Sequence, residues 1–469
     1  MLGRVFKAYD IRGTYPDLLT DQMGWQIGYG ASRFLLEDAA SAGETSPMMH
    51  NLVVGRDMRT SSPQLSEKLM AGINAHGGHV IDVGLVDTPF IYFAVNHLDC
   101  AGGVMVTASH NPPQYNGFKI CKRLAKPVGE VSGLATIRKY AAMADKGVQA
   151  AEGSRREQRD LWDAYIAHVR RFIDLNGKQM KVVVDASNGM AGTAVPKIFG
   201  RKGKDIEGLD IVELNFDNSK GEFVHEPNPL VASNLQQLRE AVVAEKADLG
   251  ICFDGDADRC VVVDEKGGIV GCDLLTAVLA KHFLKRSPGS AIAYDLRSSR
   301  AVAEEIEAAG GKPQRGRVGH VFMKQLLADT RGVFGGELSG HFYFKSNYYA
   351  DSGVIAMASV LSVVASSGKT VSELVRPIAR YIQSGEINFE TEEKDEALEA
   401  VIEEYATRGE IDDLDGITVD CFDEEGWWCN IRKSNTEPLL RLNAEARDEA
   451  TLNKIVEELS AHLGTRVDH

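Results

Sequence analysis

Short apolar runs rich in β-branched residues recur along the chain. Each is followed by a polar break and then by apolar residues at helical spacing. Val53–Val54 runs into Gly55-Arg56-Asp57 and the periodic stretch Pro63–Ala75. Val182–Val184 runs into Asp185-Ala186-Ser187-Asn188-Gly189 and a further apolar stretch. Ala291–Tyr294 runs into Asp295-Leu296-Arg297-Ser298-Ser299 and a helix over Ala301–Ala309, closed by Gly310-Gly311. Strands that alternate with helices in this way predict α/β layers, and three such units suggest three similar α/β domains. The last stretch reads differently. Glu396–Tyr405 and Thr451–Leu463 have helical periodicity, Ile417–Phe422 and Trp427–Ile431 alternate as a hairpin, and Leu439–Leu442 is a further strand. The expected divisions are 1–150, 151–267, 268–383 and a small α+β domain over 384–469. The most apolar run, Val354–Ala365, is too short to span a bilayer and predicts a buried helix.

Composition narrows the function classes. At about 150 residues per domain, 469 residues correspond to three or four domains. With 52 Lys+Arg against 67 Asp+Glu the formal net charge is −15, which argues against a general nucleic-acid or anionic-membrane binder. A local basic pocket for a small anion remains compatible with that balance. The seven cysteines are scattered, contain no C-x-x-C and are odd in number, so neither a zinc ribbon nor a disulfide framework is signalled. The N-terminus has no apolar segment of secretory type. The expected compartment is the cytoplasm. The expected assembly is a monomer or homodimer.

Four segments carry candidate chemistry. In the first, the apolar strand Gly103–Val106 delivers Thr107-Ala108-Ser109-His110-Asn111-Pro112-Pro113, which leads to Asn116-Gly117-Phe118-Lys119. The two prolines force a turn, so Ser109 stands at a strand end beside His110, a place suited to a nucleophile or a phosphate carrier. A serine in an ordinary turn is the plainer alternative. In the second, Asp254-Gly255-Asp256-Ala257-Asp258-Arg259 lies between two apolar strands. Carboxylates at alternate positions can converge on one hard cation, and the set suits Mg2+. A calcium loop is excluded, because Arg259 stands where that loop requires glycine and the flanks read as strands. In the third, Gly335-Gly336-Glu337-Leu338-Ser339-Gly340-His341 offers close backbone approach with an acceptor and a donor suited to sugar hydroxyls. In the fourth, Arg432-Lys433-Ser434-Asn435-Thr436-Glu437-Pro438 can hold a phosphate by a bidentate guanidinium and a turn of donors.

Taken together and in this order, these four segments closely resemble the α-D-phosphohexomutase family, and within it the bacterial phosphomannomutase/phosphoglucomutase group. The likeness covers essentially the whole chain and includes Tyr9-Asp10-Ile11-Arg12-Gly13 and Val318-Gly319-His320. It implies four domains around a central cleft, three related α/β domains and a C-terminal domain similar to the TATA-binding protein. It implies Ser109 as the phosphoserine, and Asp254, Asp256 and Asp258 as ligands of Mg2+ together with Ser109. His110, Lys119 and His320 would handle protons. A lysine base needs a depressed pKa, which neighbouring cations would supply. Arg259 and Arg12 would hold charged oxygens. Tyr9, Arg297, Glu337, Ser339 and His341 would face the substrate, and Arg432, Ser434, Asn435 and Thr436 would grip its non-transferring phosphate. Arg297 stands where a lysine is common in the family. The implied reaction moves phosphate between O1 and O6 of glucose or mannose through hexose 1,6-bisphosphate. Phosphoglucosamine mutase is the sibling alternative. Its members more often carry Gly where Ala257 stands and Gln where Leu338 stands. A Mg2+-dependent phosphatase with Asp254 as nucleophile is the alternative of another class, and a non-catalytic sugar-phosphate sensor a third.

Overall fold

The computed structural model describes residues 2–144, 150–434 and 439–467. Four sheets follow one another along these residues. In the first the strand order is Ile11–Thr14, Tyr115–Lys122, Gly102–Val106, Asn51–Arg56, His79–Leu85 and Arg156–Gln158. The last four of these run parallel, whereas Tyr115–Lys122 is antiparallel to both of its neighbours. Arg156–Gln158 thus extends the first sheet beyond the division expected at 150, and we place the division between Gln158 and Trp162. The second sheet orders Cys260–Asp264, Leu249–Phe253, Met180–Asp185 and Leu209–Leu214. The third orders Lys312–Gly316, Ala291–Asp295, Phe334–Gly336, Phe342–Phe344 and Ala350–Asp351. The central strands Gly102–Val106 and Leu249–Phe253 are buried at every residue, which is why they read as continuous apolar runs rather than as alternation.

The C-terminal sheet is antiparallel throughout, in the order Glu410–Asp412, Ile417–Cys421, Trp427–Lys433, Leu439–Ala446, Ile382–Glu390 and Thr465–Val467. The helices Lys394–Tyr405 and Glu449–Leu463 bury Val401, Tyr405, Ile455 and Leu459 against it. This domain has its own core. The largest core, by contrast, runs through all three α/β units, from Val53 to Ile378. The helix Gly353–Ser367, which contains the apolar run Val354–Ala365, lies inside that shared core with nearly every side chain buried. The third and fourth domains meet largely through polar contacts instead. Arg300 N–H donates to Glu445 Oε1 at 2.9 Å, Val318 N–H to Asp415 Oδ2 at 3.0 Å and Gln383 Nε2 to Asp273 Oδ2 at 2.9 Å.

One plan recurs in all four sheets. Each of the four candidate segments connects two antiparallel neighbours. Val106 pairs with Phe118, Phe253 with Cys260, Gly336 with Phe342, and Lys433 with Leu440. The four candidate segments therefore sit on hairpin connections at strand ends, and the loops of the parallel strand-helix units add Arg59, Thr88, Arg297 and His320 beside them.

Asp87 marks the seam between the first and second units. It is fully buried, accepts a hydrogen bond from Tyr165 Oη at 2.9 Å, and its other oxygen has no partner. Burial pushes its pKa up to about 7. An acid whose folded pKa is raised binds its proton more tightly in the folded state. Its favourable contribution is therefore complete below the ordinary aspartate range and is lost as pH rises through 7. Asp87→Asn keeps an acceptor for Tyr165 and removes the charge. The expected outcome is a Tm higher than that of the parent by a few degrees at pH 8, with the difference shrinking steadily as pH falls and closing only near the ordinary aspartate pKa, in a thermal-unfolding series from about pH 4 to 9.

Candidate active site

The serine segment owes its shape to a buried guanidinium. Ser109 has a left-handed backbone (φ +50°), which a side-chain-bearing residue adopts only under constraint. The constraint is Arg59, which is fully buried. Its Nη1 donates to the carbonyls of Pro112 and Tyr115 at 2.7 and 3.0 Å, and its Nη2 to those of Ser109 and Asn111 at 2.8 and 2.7 Å. Asp57 balances the charge at 3.1 Å, and the Phe223 ring lies over the guanidinium at 5.2 Å. Arg12 reaches the same segment by donating to Asn111 Oδ1, and its other arm pairs with Asp10. From the opposite side the acidic segment touches it directly. A Cβ on Gly255 would stand 2.3 Å from the Ser109 carbonyl oxygen, so only glycine permits this approach.

That approach brings the first two segments together. Ser109 Oγ donates to Asp254 Oδ2 at 2.8 Å and lies 3.4 Å from His110 Nδ1. Asp254, Asp256 and Asp258 are all buried, and each offers a carboxylate oxygen within 4.8 Å of the others. Lys119 Nζ bonds Asp256 Oδ2 at 2.8 Å and Asp258 Oδ2 at 2.5 Å, while Thr88 Oγ1 donates to Asp256 Oδ2 at 2.6 Å. Arg259 stands 3.8 Å from Asp254 Oδ2. One oxygen each of Asp256 and Asp258 has no hydrogen-bond partner. Three buried carboxylates against two nearby cations leave a negative excess with open oxygen donors, a set that fits a small divalent cation.

The electrostatics correct one expectation. Burial alone would depress the Lys119 ammonium, but Asp256, Asp258 and Asp254 outweigh burial and hold its pKa above the ordinary lysine value. Cations do not surround Lys119; carboxylates do. Burial pushes Asp254 well up, with Asp258 and Asp256 adding repulsion. Burial also opposes charge on Asp258, yet Lys119 and His341 prevail and hold it well below the usual range. His110 is held neutral by burial first, then by Arg259 and Arg12. His320 is likewise held neutral by burial, with Lys324 and His341 adding to it.

The third segment closes on the second. Cys260 N–H donates to the Gly340 carbonyl at 2.9 Å, and His341 Nε2 lies 3.3 Å from Asp258 Oδ1. His341 Nδ1 shares a 2.9 Å bond with Ser339 Oγ, and the His320 ring is 6.1 Å away. Tyr9 packs edge-on against His320 at 5.9 Å, in a space left open by Gly319 (φ +123°). Glu337 is buried and accepts from Gly319 N–H at 2.8 Å and from the Tyr343 hydroxyl. Sequence reasoning missed a second charged pair behind this group. Lys324, 3% exposed, lies 2.7 Å from Asp351 and 3.9 Å above the Tyr92 ring, and Asp351 in turn is 3.8 Å from His341 Nε2. Arg59, Thr88, Lys324 and Asp351 sit in segments with no recognisable motif.

Arg297 and Arg432 gather elsewhere, between the third and fourth sheets. Arg297 makes a forked pair with Asp295 at 3.2 and 2.8 Å, and Arg432 lies 3.2 Å from Glu386. Burial and then Arg297 lower the pKa of Arg432 from the ordinary arginine value. Ser434 N–H donates to the Leu439 carbonyl at 2.8 Å, and Asn435 and Thr436 lie outside the described residues.

Comparison with known proteins agrees with this arrangement. Models of the three alpha/beta/alpha domains and the C-terminal domain of phosphoglucomutase/phosphomannomutase match residues 3–144, 163–268, 272–381 and 386–462. The chain is 38% identical over 457 residues to "phosphohexose mutases" of Xanthomonas campestris pv. campestris (strain B100), covering 95% of this chain and 96% of that one. It is 36% identical over 452 residues to the phosphomannomutase of Escherichia coli (strain K12), covering 95% and 96%. Its fold matches the crystal structure of a phosphoglucomutase/phosphomannomutase family protein from Burkholderia thailandensis with a TM-score of 0.85 at 31% identity, covering 98% of this chain and 96% of that one. With all four domains matched in order, and with the serine and acidic segments meeting as phosphate transfer on sugars requires, the chain belongs to the phosphoglucomutase/phosphomannomutase family and is a phosphohexomutase.

Proposed function

We propose that the enzyme interconverts the 1- and 6-phosphates of mannose or glucose, with Ser109 as the phosphate carrier and hexose 1,6-bisphosphate as intermediate and activator. The observation that carries this reading is the 2.8 Å bond from Ser109 Oγ to Asp254 inside a buried triad of carboxylates. It supports a reading in which a hydroxyl nucleophile stands beside a site able to hold a divalent cation. An Asp254 nucleophile of the phosphatase type would instead have its oxygen taken up by Ser109. Asp254, Asp256 and Asp258 would hold Mg2+, which when bound neutralises charge on the transferring phosphoryl group.

The protein's own groups account for the rest. A sugar hydroxyl attacks phosphoserine; the P–Oγ bond breaks, a P–O bond to the sugar forms, and the hydroxyl proton ends on Ser109 Oγ. His110, neutral and 3.4 Å from Oγ, would accept that proton from the attacking hydroxyl and pass it on to Oγ. Lys119, held as a cation, serves better to steady charged oxygens than to take a proton. Ser109 is 1% exposed, so water is kept from a phosphate ester that is intrinsically slow to hydrolyse. Arg432 and Ser434, with Asn435 and Thr436, would take the non-transferring phosphate, while Glu337, Ser339, His341, Tyr9 and Arg297 would bound the sugar. Ala257 and Leu338 favour a hexose over an amino sugar on the family pattern. The seven cysteines are buried free thiols, and no helix of the described residues is long and apolar enough to cross a membrane. The thiols support a reducing compartment, the cytoplasm.

Phosphopeptide mass spectrometry of the purified enzyme should find phosphate on Ser109. Ser109→Ala should lower turnover of glucose 1-phosphate to about one-thousandth or less. Phosphate on Asp254 with an active S109A enzyme would overturn the assignment. Dialysis against EDTA should abolish turnover, and Mg2+ should restore it, with the far-UV circular dichroism unchanged at each step. Arg59→Lys keeps the charge but loses the four-carbonyl fork. It should slow phosphorylation of Ser109 by about 100-fold, with KM nearly unchanged, in a quench-flow assay with hexose 1,6-bisphosphate.

A further inference from the structure

The cluster that would grip the substrate's phosphate already contains an anion of its own. Glu386 lies on the strand Ile382–Glu390, opposite Asn443. Its Oε2 stands 3.2 Å from Arg432 Nη2 and 3.8 Å from Arg297 Nη1, and its Oε1 stands 3.4 Å from Arg441 Nη1. Arg432 and Arg441 belong to the C-terminal sheet, whereas Arg297 follows a strand of the third domain. One carboxylate thus faces three guanidinium groups across the seam between two domains. Asp295 already meets Arg297 in a forked pair, which reduces what that arginine can offer an incoming anion. The Glu386 side chain is 30% exposed. With Arg297, Leu338, Gln383 and Trp428 it lines a cavity of about 370 Å3, and the Arg441 and Arg432 side chains beside it are themselves partly exposed, so an anion from solvent can reach the same donors.

Guanidinium donors aimed at a carboxylate are also the donors a phosphate would use. A phosphate and Glu386 therefore compete for Arg432 and Arg441, and they repel one another if both are bound. We propose that Glu386 is an intramolecular counter-ion of the phosphate grip. It occupies the arginines when phosphate is absent and opposes phosphate when it is present, so that the held end of the sugar bisphosphate is released. The proposal rests on the reading of Arg432 as a phosphate ligand. It explains a need of the reaction. The two phosphates of the intermediate must exchange places, and a grip that holds one end too tightly slows its release and so limits turnover. Glu386 acts through the arginines and is a positioning residue.

The test uses the full-length enzyme and Glu386→Gln. The Kd for inorganic phosphate, measured by calorimetry, and the KM for glucose 1-phosphate should each fall about tenfold. kcat should fall with them, because release slows. Glu386→Asp should stay near the parent values. Weaker phosphate binding with a higher KM in E386Q would overturn the proposal, since it would mean that Glu386 only holds the arginines in place. Unchanged constants would overturn it as well. Arg432→Ala separates the two readings. If it weakens phosphate binding while E386Q does not tighten it, the grip stands and the counter-ion role falls. If R432A binds phosphate and substrate like the parent, the grip itself is wrong and the proposal falls with it.

Discussion

Three carboxylates cannot be buried a few ångströms apart and carry charge unless opposite charge is brought to them. That requirement organises the three α/β domains. Asp254, Asp256 and Asp258 come from the second domain, but much of their compensation does not. Lys119 and the Thr88 hydroxyl come from the first domain and His341 from the third, while Arg259 is supplied by the acidic segment itself. An unpaired buried charge is strongly destabilising, so each partner must be delivered to its place. The shared apolar core performs that delivery, because it fixes the three sheets relative to one another. The same concentration of negative charge is what a divalent cation and a phosphoryl group together can use. In this site the stability problem and the catalytic device are one arrangement.

The serine segment answers a different constraint. The Ser109 side chain projects from the backbone toward the acidic triad, and the turn that achieves this leaves several carbonyls pointing inward. Arg59 satisfies four of them with one rigid fork, a task a lysine ammonium could not perform with the same geometry. The left-handed Ser109 backbone and the glycine at 255 follow from the same close approach.

Much of this was legible in the sequence, and the part that was not has a physical reason. The strand runs, the terminal hairpin and the helix around Val354–Ala365 were readable because burial on both faces or amphipathic spacing leaves a periodic trace. The turns that hold Ser109 and the three aspartates were readable because each breaks off directly after a continuous apolar strand. The antiparallel pairing of Tyr115–Lys122 with Gly102–Val106 was not readable, since Asn116-Gly117-Phe118-Lys119 shows neither clean alternation nor a strong apolar run. Arg59 and Lys324 were missed because a charged side chain in a helical or loop stretch gives no sign of whether it faces water. The expectation for Lys119 failed for a related reason. Sequence neighbours supplied the argument, but its pKa is set by carboxylates 137 and 139 residues away.

The fourth domain shows how the same residue types do different work at different burial. The ion pairs of the acidic triad are almost fully buried, so they are strong, fixed and costly to break. The arginines and Glu386 at the seam between the third and fourth domains are partly exposed, where solvent screens charge and pairs exchange at little cost. The fourth domain has its own apolar core and meets the third largely through side-chain and backbone hydrogen bonds, with Phe422 against Tyr381 as an aromatic contact between them. Phosphoryl transfer needs a rigid place for the reacting phosphorus. Turning a bisphosphate end for end needs a place that can let go. Under the roles proposed above, burying one set of charges within a shared core and leaving the other at a polar seam would meet both needs within one chain.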